Sequence, residues 1–324
     1  MDSNLRPLST SELLDRTFFL YRNHFALFVG IALLPAGIGL LMQLIGLSMG
    51  IGPIPTVNAP IPGQMPTFPP DFFASLVFEL LVTGSTVFLG AYLAQGAGAY
   101  AVSMVQVGKK ATIAESYRNV FGSFFKIVGV LICWFLLICA VCFLLMIPFV
   151  ASLGMMGIGI PGKNIGLIVA GALLLIVTTL GSFVLLLYIT ARYSLIVPAC
   201  LLDQTSVTGA FQRSSFLTKQ SIIRIILVLV LIGIIRAVFG GVLMLPYYFS
   251  FIAHGGNPTY FAKVWVYLAQ FLALTFAYPV AAIALALVYF DQRVRKEAFD
   301  LQTMMSALDH EPSVSTASAG SVIG

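Results

Sequence analysis

Polar chemistry is scarce in this chain, so the residues that could perform it are quickly located. Four cysteines occur, Cys133, Cys139, Cys142 and Cys200, the first three within one apolar run. Cys139-x-x-Cys142 has the spacing of a metal or redox pair, but no second pair and no nearby histidine accompanies it, which favours plain helix packing. The histidines His24, His254 and His310 are scattered over distant segments. No His-Glu-x-x-His, phosphate-cradling glycine loop or nucleophile elbow is present. No catalytic residue, metal ligand or cofactor is expected on this evidence.

Two ionisable residues inside apolar runs carry the strongest signal. Arg236 lies twelve residues after Arg224, or about 18 Å along a helix rising ~1.5 Å per residue. Glu79 lies early in another run. A charge at membrane depth is costly unless paired or hydrated. One expectation is therefore a Glu79–Arg236 pair. The other is that Arg236 snorkels outward to lipid phosphates while Glu79 sits in water. Gln43, Gln95 and Gln270 are the remaining polar residues of note in the runs, and helix-to-helix hydrogen bonding is their expected role.

The elements that must position these residues are membrane spans. The chain is 59% hydrophobic and 9% charged, with a mean hydropathy of +1.00, against about 25% charged residues in average soluble chains. Six apolar runs cover roughly 25–51, 72–107, 127–155, 165–191, 225–253 and 264–290. Each is long enough to cross a bilayer, which needs about 20 residues. Prolines at Pro35, Pro148, Pro246 and Pro279 predict kinks rather than breaks. The spacing of Gly90 and Gly98, and the Gly240-Gly241 pair, predict close helix contacts.

The runs repeat. Eighteen residues after Arg22, Lys126 and Arg224 stand Leu40-Leu41-Met42-Gln43-Leu44, Leu144-Leu145-Met146-Ile147-Pro148 and Val242-Leu243-Met244-Leu245-Pro246. A polar-faced helix precedes each of these spans. Ser9 to Glu12 fits a capping box and Thr112 to Glu115 repeats it, whereas the third copy, Val207 to Arg224, lacks the glutamate. Leu14, Phe18, Tyr21 and Phe25 follow the first cap at helical spacing and predict an apolar side lying in the headgroup plane. The expected fold is all-α: six transmembrane helices in three parallel-repeat hairpins, each odd span preceded by a cytoplasmic interface helix. Residues 1–310 form one membrane domain, with repeats at about 8–107, 108–203 and 204–300, and 311–324 a disordered tail. The proline-rich stretch 52–70 is expected to be extended and poorly ordered.

Charge placement sets the expected orientation. With alternate loops on alternate sides, the outer loops hold only Lys163 and Lys263, and Arg236 lies within a run. All other Lys and Arg fall on the inner side, which predicts cytoplasmic termini. This spread along membrane-flanking segments accounts for the net charge of +5 without nucleic acid as a partner. The N-terminus does not read as a cleavable signal peptide. Arg192, Arg213, Lys219, Arg293 and Arg295 are candidate contacts for lipid phosphates at the inner surface, with a linker that merely obeys the positive-inside rule as the alternative. The short apolar stretch Ser194 to Leu202, interrupted by Pro198, would run along or dip into that surface.

The junction Arg192-Tyr-Ser-Leu-Ile-Val-Pro198-Ala, Asp203 and Ala210-Phe-Gln-Arg213-Ser214-Ser-Phe-Leu217-Thr218 is distinctive. So is Tyr289-Phe-Asp291-Gln-Arg293-Val-Arg295-Lys-Glu297-Ala-Phe-Asp300-Leu-Gln. With Leu5-Arg-Pro-Leu-Ser9 and Leu14-Asp-Arg16, these resemble bacterial membrane proteins classed with the membrane domain of glycerophosphoryl diester phosphodiesterase, over nearly the whole chain. The resemblance implies a six-helix integral membrane module. In fused members the phosphodiesterase activity belongs to a separate soluble barrel; these 324 residues contain no such barrel, so the activity is not carried over. The expected function is a non-catalytic scaffold or accessory in the bacterial inner membrane, partnered by the lipid bilayer and by a membrane or cytoplasmic protein of lipid or envelope metabolism. The alternatives are a permease with its path between repeats near Arg236 and Glu79, and a membrane-embedded lipid enzyme.

Overall fold

The structure is a computed structural model that describes residues 9–51, 72–255 and 258–309, without the side chains of Thr83, Thr86, Val87 and residues 298–309. The proline-rich stretch 52–70, His310 and the tail 311–324 lie outside the described residues. Among those described the chain is helical and has no strand. In order come α1 (Thr10–Asn23), α2 (Phe25–Ser48), α3 (Phe72–Ser85), α4 (Ala91–Gln106), α5 (Ile113–Gly122), α6 (Phe124–Gly159), α7 (Ile165–Tyr193), α8 (Ile196–Leu202), α9 (Val207–Thr218), α10 (Ile222–Ala253) and α11 (Tyr260–Asp309). A π-helical segment, Thr86–Gly90, joins α3 to α4.

Six of these stretches are long and apolar enough to cross a membrane, so the protein is a multi-pass membrane protein. Pro35, Pro148, Pro246 and Pro279 lie inside α2, α6, α10 and α11 without ending them. The sixth span runs on well past residue 290 as part of one element, the 50-residue α11. At about 1.5 Å per residue α11 is some 75 Å long, far beyond the roughly 30 Å of a hydrocarbon core.

Short helices precede α2, α6 and α10, and each begins on a side-chain cap. At α1 the box is complete: Glu12 N–H donates to Ser9 Oγ (3.2 Å) and Ser9 N–H to Glu12 Oε2 (2.7 Å). At α5 only half of the predicted box forms. Glu115 N–H donates to Thr112 Oγ1, but the Glu115 carboxylate instead accepts from the Tyr100 hydroxyl of α4 at 3.1 Å. A tertiary partner has displaced the local one. At α9 the cap is Ser206, whose hydroxyl accepts from Gly209 N–H at 3.2 Å.

The core forms around α11, which packs against α1, α2, α4 and α10. Its contact side is built of small residues, among them Ala269, Ala282, Ala284 and Ala286, all nearly or fully buried. Small side chains matter here because lipid tails are as apolar as leucine, so helices associate through close packing and polar contacts rather than water expulsion. A Cβ added at Gly98 would stand 3.1 Å from that of Ala282, and one at Gly90 2.7 Å from Pro35 Cβ. The predicted close contact holds at Gly90 and Gly98. It does not at Gly240 and Gly241, where an added Cβ would meet nothing within 4 Å.

In α1 the side buried against protein is Leu13, Thr17 and Leu20, while Phe18, and Phe25 at the start of α2, stay uncovered by protein. Tyr21 of the expected apolar side instead donates to the Phe276 carbonyl of α11 at 2.9 Å. The short α8 is almost wholly enclosed, with Ile196 to Leu201 at most 2% exposed apart from Pro198, which is also buried. It packs on α4, α6, α9 and α11, so protein covers it rather than lipid.

Candidate intramembrane cavity and ion network

Arg236 is placed by the helix that carries it. At the lower end of α10, Arg224 Nη1 is held 2.8 Å from Asp291 Oδ2 of α11, which sets the register of the two helices. Twelve residues on, about 18 Å up the axis, Arg236 Cζ lies over the Tyr278 ring at 5.0 Å from its centroid. This ring face is the one contact recorded for Arg236 among the described residues, and much of its side chain is left uncovered by protein. A cation over an aromatic face gains from the ring quadrupole but keeps its charge.

Two cavities share Arg236, and Tyr278 lines the second of them. One, of about 290 Å³, lies between α2, α10 and α11, with Leu40, Gln43, Met244, Gln270 and Phe271 in its walls. The other, of about 200 Å³, lies nearer Arg224 and is walled by Tyr92, Gln95, Trp134, Tyr193 and Leu285 among others. Arg236 lines both. On α10 the lining runs from Leu229 to Met244 and on α11 from Leu285 back to Gln270. Each stretch advances fifteen residues, or about 22 Å, a large part of a bilayer core of roughly 30 Å. In the first cavity Gln43 Nε2 donates to Gln270 Oε1 at 3.0 Å, the helix-to-helix bond expected of these residues. In the second Trp134 Nε1 donates to the Tyr92 hydroxyl at 3.2 Å, and the buried Gln95 lines the wall.

Glu79 is elsewhere. Its Oε1 accepts from the hydroxyl of Tyr267, a fully buried residue of α11, at 3.0 Å. Tyr267 and Tyr278 are eleven residues apart on one helix, about 16 Å. The structure therefore does not bring Glu79 and Arg236 together, and each takes a different tyrosine of α11. Those tyrosines were not singled out in the sequence, because a partner on another helix leaves no local spacing to read.

At the end of the bundle that carries Arg224, the candidate phosphate contacts are largely engaged with protein. Asp203, Arg213, Glu297 and Arg293 alternate in one network: Arg213 Nε to Asp203 Oδ2 at 2.9 Å, Arg213 Nη2 to Glu297, Arg293 Nε to Glu297 Oε2 at 2.8 Å and Arg293 Nη1 to Asp203 Oδ1 at 3.4 Å. Partial burial works against the Arg213 charge, but the two carboxylates outweigh it and hold the guanidinium above its usual pKa. Asp291, with 1% of its side chain exposed, accepts from Arg224, from Arg295 at 2.9 Å and from Gln292 at 3.2 Å. Arg192 donates to the Tyr188 hydroxyl and to Ser215 Oγ, both at 2.7 Å, and its carbonyl accepts from Ser214 at 2.9 Å and Thr218 at 3.1 Å. Lys219 alone of the five candidates is exposed without such a bond recorded. The acids Asp203, Asp291 and Glu297 were the missed partners. Two of their bonds, Asp291 to Arg295 and Glu297 to Arg293, have the i,i+4 spacing that a helix surface favours and could have been found.

Among the described residues no group of three or more His, Cys, Asp and Glu is arranged to hold a metal. Cys133, Cys139 and Cys142 are exposed and free, and Cys200 is buried and free. His24 caps the break between α1 and α2, and His254 Nδ1 lies 2.9 Å from the Ser250 carbonyl at the far end of α10. Comparison with protein-family models, with curated proteins and with solved structures finds no match to this chain.

Proposed function

We propose that this protein is a permease whose path runs along α10 and α11, past Arg236, in a bacterial inner membrane with both termini cytoplasmic. The observation that carries the reading is the pair of cavities that share Arg236. A scaffold has no need of two cavities stacked through the depth of its helix bundle and joined at a charged side chain. Sites of this kind in transporters lie near the bilayer midplane, at the junction of structural repeats. Three copies of short helix plus hairpin, and the resemblance to the phosphodiesterase-associated membrane module, fit that picture without supplying a substrate.

The scaffold reading stays as the second one, because α7 leaves most of its surface uncovered by the rest of the chain. An accessory protein could present that surface to a membrane partner.

Thiol labelling separates the two without knowledge of the substrate. The three exposed cysteines, Cys133, Cys139 and Cys142, are first replaced by alanine. Ala273→Cys then reports on the first cavity and Gly233→Cys on the second, where an added Cβ meets nothing within 4 Å. A path predicts that a charged, membrane-impermeant methanethiosulfonate reaches Ala273→Cys from outside intact cells and Gly233→Cys from inverted vesicles. Absence of labelling at both positions from both sides rejects the path.

A further inference from the structure

A guanidinium remains charged at any physiological pH and carries five N–H donors in a planar fork. Arg236 holds such a group about 18 Å along α10 from the Arg224–Asp291 contact. Among the described residues no carboxylate answers it, and Glu79 is bonded to Tyr267 about 16 Å further along α11. Tyr278 meets Arg236 through its ring and so uses none of the N–H donors that a ligand would take. In the same cavity Gln270 uses Oε1 to accept from Gln43, and its Nε2 has no recorded partner among the described residues. Arg236 and Gln270 therefore both bring N–H donors to this space.

The rest of that cavity is apolar, with Leu40, Met244, Phe271 and Leu274 in its walls. Arg236 is uncovered by protein on α10, so the site is open toward whatever surrounds the helix. At membrane depth that surrounding is lipid rather than bulk water. At about 290 Å³ the space is near the lower end of the ~300–1,000 Å³ usual for ligand pockets.

We infer that this cavity binds the oxyanion head of an anionic amphiphile, a phosphate or carboxylate carried on an apolar chain, with Arg236 forming the charge-assisted bonds and Gln270 adding a neutral donor. A phosphate or carboxylate matches the guanidinium fork through two parallel bonds. The apolar walls take the first part of the chain, and the lateral opening lets the remainder stay among lipid tails. The inference rests on the path reading and supplies its substrate class.

The test uses the full chain in nanodiscs of equal phosphatidylglycerol and phosphatidylcholine, followed by extraction and mass spectrometry of retained lipid. Wild type should retain phosphatidylglycerol over phosphatidylcholine by about tenfold, the scale of one charge-assisted contact. Arg236→Gln should lose that preference. Arg236→Lys, which keeps the charge without the fork, should fall between the two and serves if the glutamine variant is not monodisperse. Retention of the full preference in Arg236→Gln would overturn the inference, because the preference would then come from the basic residues around Arg224. Equal loss in Arg236→Lys and in an Arg224→Lys control would overturn it as well. In discs of phosphatidylcholine alone, inorganic phosphate should leave the melting temperature unchanged. Stabilisation of wild type but not of Arg236→Gln would assign the site to a free anion and overturn the amphiphile. Lipid retention without thiol labelling removes the path alone, whereas labelling without Arg236-dependent retention removes this inference alone.

Discussion

α7 and α11 have nearly the same apolar character and opposite fates. The most apolar 18-residue stretch of the α7 span has a mean hydropathy of 2.5 and that of α11 has 2.3, yet 6% of the first is buried and 61% of the second. Hydropathy says that both helices leave water. It does not say which enters the protein interior, because lipid accepts a leucine as readily as another helix does. The difference lies in shape and in polar handles. α11 offers a row of alanines for close approach, tyrosines that engage Glu79 and Arg236, and a charged end that holds Arg213 and Arg224. α7 offers leucine, isoleucine and valine, with Leu173, Ile176, Val177 and Leu180 exposed. Its main companion is α6, and the two cross tightly where a Cβ at Gly171 would stand 2.9 Å from the Ser152 carbonyl oxygen.

The contrast can be broken hardest at Asp291. Asp291→Ala removes the acceptor that Arg224 and Arg295 share beside α11, and each hydrogen bond lost to a charged group costs about 1.5–3 kcal/mol. Thermal unfolding in detergent should show a large drop in melting temperature, and an unchanged midpoint would deny the α11 end its anchoring role. Gly171→Leu should act more locally. Overpacking of a tight contact costs about 1–3 kcal/mol, and hydrogen exchange should rise in α6 and α7 while the α11 core stays protected. Spread of the effect into α2 and α4 would mean that the α6–α7 pair is integral to the core. Leu180→Ala sharpens the comparison through its smallness: a residue 62% exposed on α7 should change stability by no more than about 0.5 kcal/mol. A loss several times larger would place a protein partner, rather than lipid, against that face.

The helices themselves were largely legible in the chain. All six spans, the caps at Ser9 and Thr112 and the short helices before the odd spans follow from apolar runs and capping residues, which are local signals. The candidate site was legible only in part. Arg236 and Glu79 stand out as charges in apolar surroundings, and Gln43 and Gln270 as amides with a cross-helix role. Their true partners did not stand out, since Tyr267 and Tyr278 lie nearly two hundred residues from Glu79 and some forty from Arg236 in the chain. For the same reason the arginines at the Arg224 end read either as lipid contacts or as a linker obeying the positive-inside rule, and the sequence alone did not pair them with Asp203 and Glu297.

Length and hydropathy by themselves determined that the described residues hold six helices long and apolar enough to cross a membrane, because an unpaired backbone in hydrocarbon leaves helices as the economical solution. Which helix became the centre was decided by the tertiary structure alone. In lipid the choice rests on how closely two surfaces fit and on which polar group meets which. Those are properties of pairs of helices, and no single stretch of sequence carries them.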